Sequence, residues 1–147
     1  MLFRSGVHHG IGACIIAVAL EENIKEGFPG KYLGTDIDMN AGKLFNSNFS
    51  HIGKVLYGDS IESLKEISEK IDLFINDSDH SDEYEYREYS VIKNKLSPHA
   101  VILGDNSHVT ESLHKFSIEN NRHFVFFKED PLNHWYPGAG IGISFRK

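Results

Sequence analysis

One cysteine, one tryptophan, two methionines and four prolines are all that the 147 residues contain of those types. With Cys14 alone, no internal disulfide can form, and a chain of this length needs none, since folding can withdraw roughly two-thirds of its unfolded surface from water. A lone thiol also sets the expectation of a reducing, cytoplasmic setting. Basic residues are in deficit, 15 Lys and Arg against 21 Asp and Glu, for a formal net charge of −6. A phosphate-tracking surface needs clustered Lys and Arg, so this balance speaks against a nucleic-acid partner and suits a cation or a cationic small molecule. Long apolar segments are missing too. Arg4 followed by Ile11 to Leu20, with Ala17-Val18-Ala19 near its end, imitates a signal peptide, but His8-His9-Gly10 interrupts it. No second segment has membrane-spanning length, and no membrane partner is expected. Repeats and linker-like stretches are absent, which predicts one domain over residues 1–147.

What is present alternates between two periods. Leu2-Phe3 is a short apolar start, followed by a loop with Gly6, Gly10 and Gly12. Ala13 to Glu26 is apolar on most sides, as a helix buried against a sheet would be, and Gly27 and Pro29-Gly30 stop it. Lys31–Ile37, Lys54–Tyr57, Ile71–Ile75, Ala100–Leu103, His123–Phe127 and Ala139–Phe145 read as strands. Ile61–Lys70, Asp82–Leu96 and Val109–Asn120 read as helices. Strands alternating with helices predict a mostly parallel sheet with helices on both faces, a three-layer α/β sandwich. The link Lys128 to Gly138 holds Pro131 and Pro137 and has no helical period, so the last strand is expected to pair antiparallel. In open sheets of this class ligands bind at the carboxyl ends of the strands, where the acids of this sequence converge.

Gly6-x-x-x-Gly10-x-Gly12 lies between a strand and a helix, where glycines let a ligand approach the backbone and the helix N-terminus. Asp36 ends the next strand, placed to accept hydrogen bonds from ribose hydroxyls, while Asp38 reads as a solvated turn acid. Asp59-Ser60 either faces an adenine ring or caps the helix starting at Ile61. Asp77, Asp79, Asp105 and Asn106 follow two apolar strands. Two carboxylates and an amide oxygen from Asp77, Asp105 and Asn106 form an all-oxygen set suited to Mg²⁺ or another divalent cation. The competing reading is a turn at Asp105-Asn106 and a helix cap at Asp79. His80 could take a proton from a substrate hydroxyl near neutral pH, with Asp79 as its rival. Trp135-Tyr136 either walls a pocket or plugs the sheet edge. The charged run Glu83 to Glu88 reads as a solvated helix face with Tyr84 or Tyr86 leaning inward.

These residues together resemble class I S-adenosylmethionine-dependent methyltransferases, and more narrowly the metal-dependent O-methyltransferases of the catechol and antibiotic-sugar type. The resemblance runs over the whole chain, on Gly6-Val7-His8-His9-Gly10-Ile11-Gly12, Thr35-Asp36-Ile37-Asp38, Gly58-Asp59-Ser60, Ile75-Asn76-Asp77-Ser78-Asp79-His80 and Leu103-Gly104-Asp105-Asn106. It implies a Rossmann-like fold and methyl transfer from S-adenosylmethionine to a hydroxyl oxygen of a small molecule. By the same resemblance Gly6, His8, Gly10 and Gly12 hold the methionine part of the cofactor, and Asp36 its ribose. Asp59 and Ser60 lie by the adenine, and Asp77 borders the cofactor. Asp77, Asp105 and Asn106 bind the divalent ion, and the base is Asp79 or His80. Three features depart from the family: Arg4 stands where an acid is usual, Pro98-His99-Ala100 replaces Pro-Gly-Gly, and the chain begins at the first strand. The last of these sets the expectation of a missing N-terminal helical segment and of exposed apolar surface favouring a homo-oligomer.

Two other readings compete. The glycine loop with Tyr89-x-x-x-Lys93 also resembles short-chain dehydrogenases, although Tyr89 would then fall mid-helix and leave Asp77, Asp105 and Asn106 without a role. A non-catalytic cofactor-binding or interaction domain of the same fold would accommodate Arg4.

Overall fold

The structure is a computed structural model and describes residues 1–105, 107–133, 135 and 138–146. Strands β1 (Leu2–Ser5), β2 (Tyr32–Asp36), β3 (Gly53–Tyr57), β4 (Ile71–Asn76), β5 (Leu96–Gly104), β6 (His123–Lys128) and β7 (Gly140–Phe145) form one seven-stranded sheet ordered β3-β2-β1-β4-β5-β7-β6. Helices α1 (Ile11–Lys25), α2 (Lys43–Asn48), α3 (Ser60–Glu66), α4 (Asp82–Ile92) and α5 (Ser112–Glu119) connect them. β1 to β5 run parallel, and β7 enters antiparallel between β5 and β6, as expected from the proline-bearing link. Buried Arg122 fixes β7 there: its Nε donates to Ser144 Oγ at 2.8 Å and its Nη2 to the Ala100 carbonyl at 2.7 Å.

Alternation along the strands supplies two cores. Phe3, Leu33, Phe74 and Ile102 face α3, α4 and α5, packing with Leu64, Tyr89 and Phe116. Tyr32 and Val55 face the other way, against Ala13 and Ala17 of α1 and Phe45 of α2. Side chains one residue apart, such as Tyr32 and Leu33, therefore serve opposite layers.

Several elements differ from expectation. α1 turns Ala13, Ala17 and Leu20 to the sheet and leaves Ile11, Ile15 and Val18 exposed, so its apolar breadth exceeds what the core covers. α2 occupies a polar stretch with no helical period, started by Gly42 in a left-handed conformation. α4 stops at Ile92 rather than Leu96, because Leu96 already pairs with Ile71 in β5. β5 reaches back past Pro98, and the register shift between the Ile71↔Leu96 and Leu73↔Val101 pairs absorbs the proline, which has no N–H to donate. α5 is also shorter than expected at both ends.

The parallel ladder continues one residue beyond three strands. Gly6 N donates to Thr35 O at 3.0 Å, Asp77 N to Ser5 O at 3.2 Å, and Asp105 N to Asn76 O at 2.9 Å. Gly6, Asp77 and Asp105 are thereby aligned along the carboxyl edge. β1, between β2 and β4, is where the chain reverses its direction of winding, and the crevice of such a sheet opens there.

Candidate active site

Gly6 has φ +76°, and a Cβ at that position would overlap the carbonyl oxygen of Asp77. Glycine is what lets β1 and β4 end side by side. The loop beyond is held by Asp36: Val7 N and His8 N donate to its Oδ2 at 3.0 and 2.8 Å, and Asp38 N donates to Oδ1 at 2.9 Å. A carboxylate offers about four acceptor positions, so Asp36 keeps room for one further donor. His8 adopts φ +51°, and its carbonyl accepts from Gly42 N at 2.7 Å, tying the loop to the start of α2. Gly10 and Gly12 sit behind the loop, where Gly10 caps α1 and Gly12 gives room to the Arg4 guanidinium.

A cavity of about 740 Å³ opens above this edge. Gly6, His8, Asp36, Asp59, Ser60 and Asp77 line it, all candidates from the sequence, and Asp79 stands at its rim. The two readings of Asp59 hold together: its Oδ1 caps α3 by accepting from Glu62 N at 3.0 Å, and the residue also borders the cavity. Tyr84 is the inward-leaning tyrosine at the cavity, with its hydroxyl 2.9 Å from Ser60 Oγ and 3.2 Å from Asp59 Oδ2.

Beside the cavity Asp77, His80 and Asp105 each bring one ligand atom within 4.8 Å of the others. Burial pushes the Asp77 carboxyl up to about 6; the Arg4 guanidinium opposes that shift and neighbouring Asp105 adds to it. A divalent cation among these groups would relieve the crowding of two carboxylates, so the donor set fits one. Among the described residues, Asp77 and Asp105 of the all-oxygen set expected for Mg²⁺ come together, with the His80 imidazole beside them. Asn106, the third ligand named from the sequence, lies outside the described residues. Arg4 ion-pairs with Asp77, and its Nε donates to the Gly6 carbonyl at 2.7 Å, so the departure at Arg4 places a fixed positive charge under the glycine loop.

The two candidate bases differ. Asp79 is exposed, and the hydrogen bond its Oδ1 accepts from Ser81 N at 2.8 Å holds its carboxyl below the ordinary range. His80 is half-buried within the acidic cluster.

The expected solvated face of Glu83 to Glu88 requires correction. Glu83 and Arg87 are exposed, but Glu85 and Glu88 are buried. Glu88 accepts from Ser60 Oγ, Asn76 Nδ2 and Ser78 Oγ, joining the ends of β4 and α3 under the cavity. Burial raises the Glu88 carboxyl. The signal was in the spacing, since Glu85, Glu88, Tyr89 and Ile92 repeat at i, i+3, i+4 and i+7 on the helix face that carries the core. Tyr89 is fully buried with its ring against Phe74 and Phe116, so the Tyr89/Lys93 pair does not face the cavity. Trp135 is exposed, and Tyr136 lies outside the described residues. Among the described residues no helix is long and apolar enough to cross a membrane.

A family model described as a methyltransferase domain matches residues 3–107. No curated protein matches the chain in sequence. Among solved structures, an O-methyltransferase from Bacillus cereus in complex with SAH superposes with a TM-score of 0.76 at 15% identity, over 99% of this chain and 73% of that one. The O-methyltransferase TomG from Streptomyces achromogenes, involved in tomaymycin synthesis and bound to SAM, gives 0.74 at 13% identity, over 99% and 72%. An rRNA methylase from Streptococcus thermophilus gives 0.64 at 10% identity, over 99% and 86%. At these identities the likeness is one of fold.

Proposed function

The chain belongs to the methyltransferase domain family, and from that premise we propose that it transfers a methyl group from S-adenosylmethionine to a hydroxyl oxygen of a small molecule, aided by a divalent cation. The observation that carries the reading is that the loop at Gly6 and Asp36 lines the same cavity as Asp77, and that Asp77 also belongs to the acidic cluster with His80 and Asp105. When bound, the cofactor supplies an electrophilic methyl on a sulfonium, and a cation beside Asp77 and Asp105 supplies a Lewis acid that lowers the pKa of an acceptor hydroxyl. Gly6 and Asp36 orient the donor, Asp59 and Tyr84 close the far wall, and Asp77 and Asp105 hold the cation. His80 takes the hydroxyl proton at its unprotonated ring nitrogen, a role Asp79 fills less well with its lowered pKa. A small-molecule acceptor also agrees with the net charge of −6, which disfavours a polyanion.

Changing Asp105 to Ala is expected to weaken Mn²⁺ binding at least about tenfold in calorimetry and leave cofactor affinity within about twofold, because a liganding carboxylate is lost and the cofactor wall is not. His80→Gln should abolish turnover on a hydroxyl acceptor while Mn²⁺ affinity stays within about threefold; parallel loss of both would make His80 a ligand instead of the base. Cation affinity should also follow pH. Protons and the cation compete for Asp77, whose carboxyl is raised to about 6, so affinity is expected to fall on acidification through that value and level off above it. An affinity independent of pH between about 5 and 7 would contradict the assignment.

Arg4 favours one second reading, in which its guanidinium serves as the cation at Asp77 and methyl transfer needs no metal. Turnover that survives exhaustive chelation would select it.

A further inference from the structure

Glu85 is 2% exposed and sits in the first turn of α4, with no lysine or arginine bonded to it among the described residues. Its two oxygens point to two different loops. Oε1 lies 3.4 Å from His80 Nδ1, in the loop that carries Asp77, and Oε2 accepts from Thr110 Oγ1 at 2.5 Å, in the segment that follows Asp105. A second tie runs alongside, with Ser112 Oγ 2.8 Å from the Asp82 carbonyl and 2.5 Å from its carboxylate. The start of α4 thus joins the two loops whose side chains meet in the acidic cluster.

We propose that Glu85 is a positioning residue for His80: its carboxylate holds the imidazole as the Nδ1–H tautomer, which makes Nε2 the unprotonated nitrogen, and it fixes the ring relative to Asp77 and Asp105. The argument is one of satisfaction. A buried carboxylate without a basic partner demands donors, and Thr110 supplies one to Oε2. For Oε1 the Nδ1–H of His80 is the donor within reach, whereas the Nε2–H tautomer would set a lone pair against a carboxylate oxygen. Burial raises the Glu85 carboxyl, and the bonds from Thr110 and His80 pull it back. A separation of 3.4 Å is at the long end for such a bond. The pattern, a carboxylate behind a histidine that does chemistry through its other nitrogen, selects tautomer and orientation together.

The proposal rests on the reading of His80 as proton acceptor, but its test does not need the acceptor molecule. In protein labelled with ¹⁵N-histidine, the long-range ¹H–¹⁵N correlations of the ring report the tautomer, and the signals absent from His80→Gln identify His80. In mildly alkaline buffer the wild type is expected to show Nδ1–H at His80. Glu85→Leu, which removes both acceptor oxygens at similar volume, should shift it to Nε2–H without changing affinity for S-adenosylmethionine. Glu85→Gln keeps one acceptor oxygen and should keep the wild-type tautomer. An Nε2–H tautomer in the wild type, or one tautomer common to wild type and Glu85→Leu, would overturn the proposal. If Glu85→Leu does not fold, an Nε2–H tautomer in the wild type or in Glu85→Gln would still overturn it. Absence of cofactor binding in the wild type would instead strike the methyl-transfer reading and leave the tautomer result standing.

Discussion

Asp36→Ala is expected to raise the dissociation constant for S-adenosylmethionine by about 100-fold or more, close to 3 kcal/mol, since hydrogen bonds to a charged group are each worth roughly 1.5–3 kcal/mol. Two losses combine. The carboxylate's remaining acceptor position would no longer meet a ribose hydroxyl. The loop it organises would also come loose, because Val7 N and His8 N both donate to Asp36 Oδ2. Asp38→Ala is the control. Asp38 stands two residues away on the same turn, but its Oδ1 accepts from Asn40 alone among the described residues. Its replacement should leave cofactor affinity within about twofold, as surface changes usually do. Equal effects of the two substitutions in a calorimetric titration would mean that net charge near the cleft matters and the geometry of Asp36 does not.

Gly6→Ala should be the most damaging single-methyl change at the site. Gly6 combines a positive φ of +76° with a neighbour, the Asp77 carbonyl oxygen, that an added Cβ would overlap. The oxygen belongs to backbone fixed in the β1–β4 ladder, since Asp77 N donates to Ser5 O, so it cannot swing aside. The left-handed conformation alone costs about 1–2 kcal/mol for an alanine, and the displaced backbone brings the total to about 3 kcal/mol or more. For a chain of this size that lowers the melting temperature by roughly 6–12 °C. Gly27 isolates the conformational part: φ is +88° and no atom lies within 4 Å of an added Cβ. Gly27→Ala should therefore cost about 1–2 kcal/mol only. A Gly6→Ala variant that melts no lower than Gly27→Ala in differential scanning calorimetry would show that the two strands can part without penalty.

Much of this architecture was legible in the sequence because it depends on punctuation and period. Gly6, Gly27 and Pro29-Gly30 bracket α1, and Ile71–Ile75 reads as an apolar run, interrupted by the exposed Asp72, because β4 lies inside the sheet between β1 and β5. Acids at strand ends gave the position of the cleft through the single rule that parallel strands end on the ligand side. What failed to show has local causes. β5 begins before Pro98, and a proline at a register shift looks from sequence like the end of an element. α2 is six residues long and held from outside, by the His8 and His9 carbonyls that accept from Gly42 N and Leu44 N, so its own composition carries little signal. Glu85 and Glu88 were hidden by their charge: they keep the helical spacing of core residues, and the partners that make their burial tolerable, Thr110, Ser60 and Asn76, come from other elements. The ion pair of Arg4 with Asp77 links residues in neighbouring strands and becomes visible once β1 and β4 are paired. The assembly of Asp77, His80 and Asp105 likewise follows from the β4–β5 pairing together with a turn that returns His80 toward the strand it has just left.

The central claim is that one cleft takes S-adenosylmethionine at the Gly6–Asp36 end, beside a cation-binding cluster. It is tested most directly by calorimetric titration of S-adenosylmethionine into the purified chain with and without Mn²⁺. The account requires saturable binding at one site per chain, retained in Asp105→Ala and weakened by about 100-fold or more in Asp36→Ala. Absence of saturable heat under both conditions, or binding indifferent to Asp36, would contradict it.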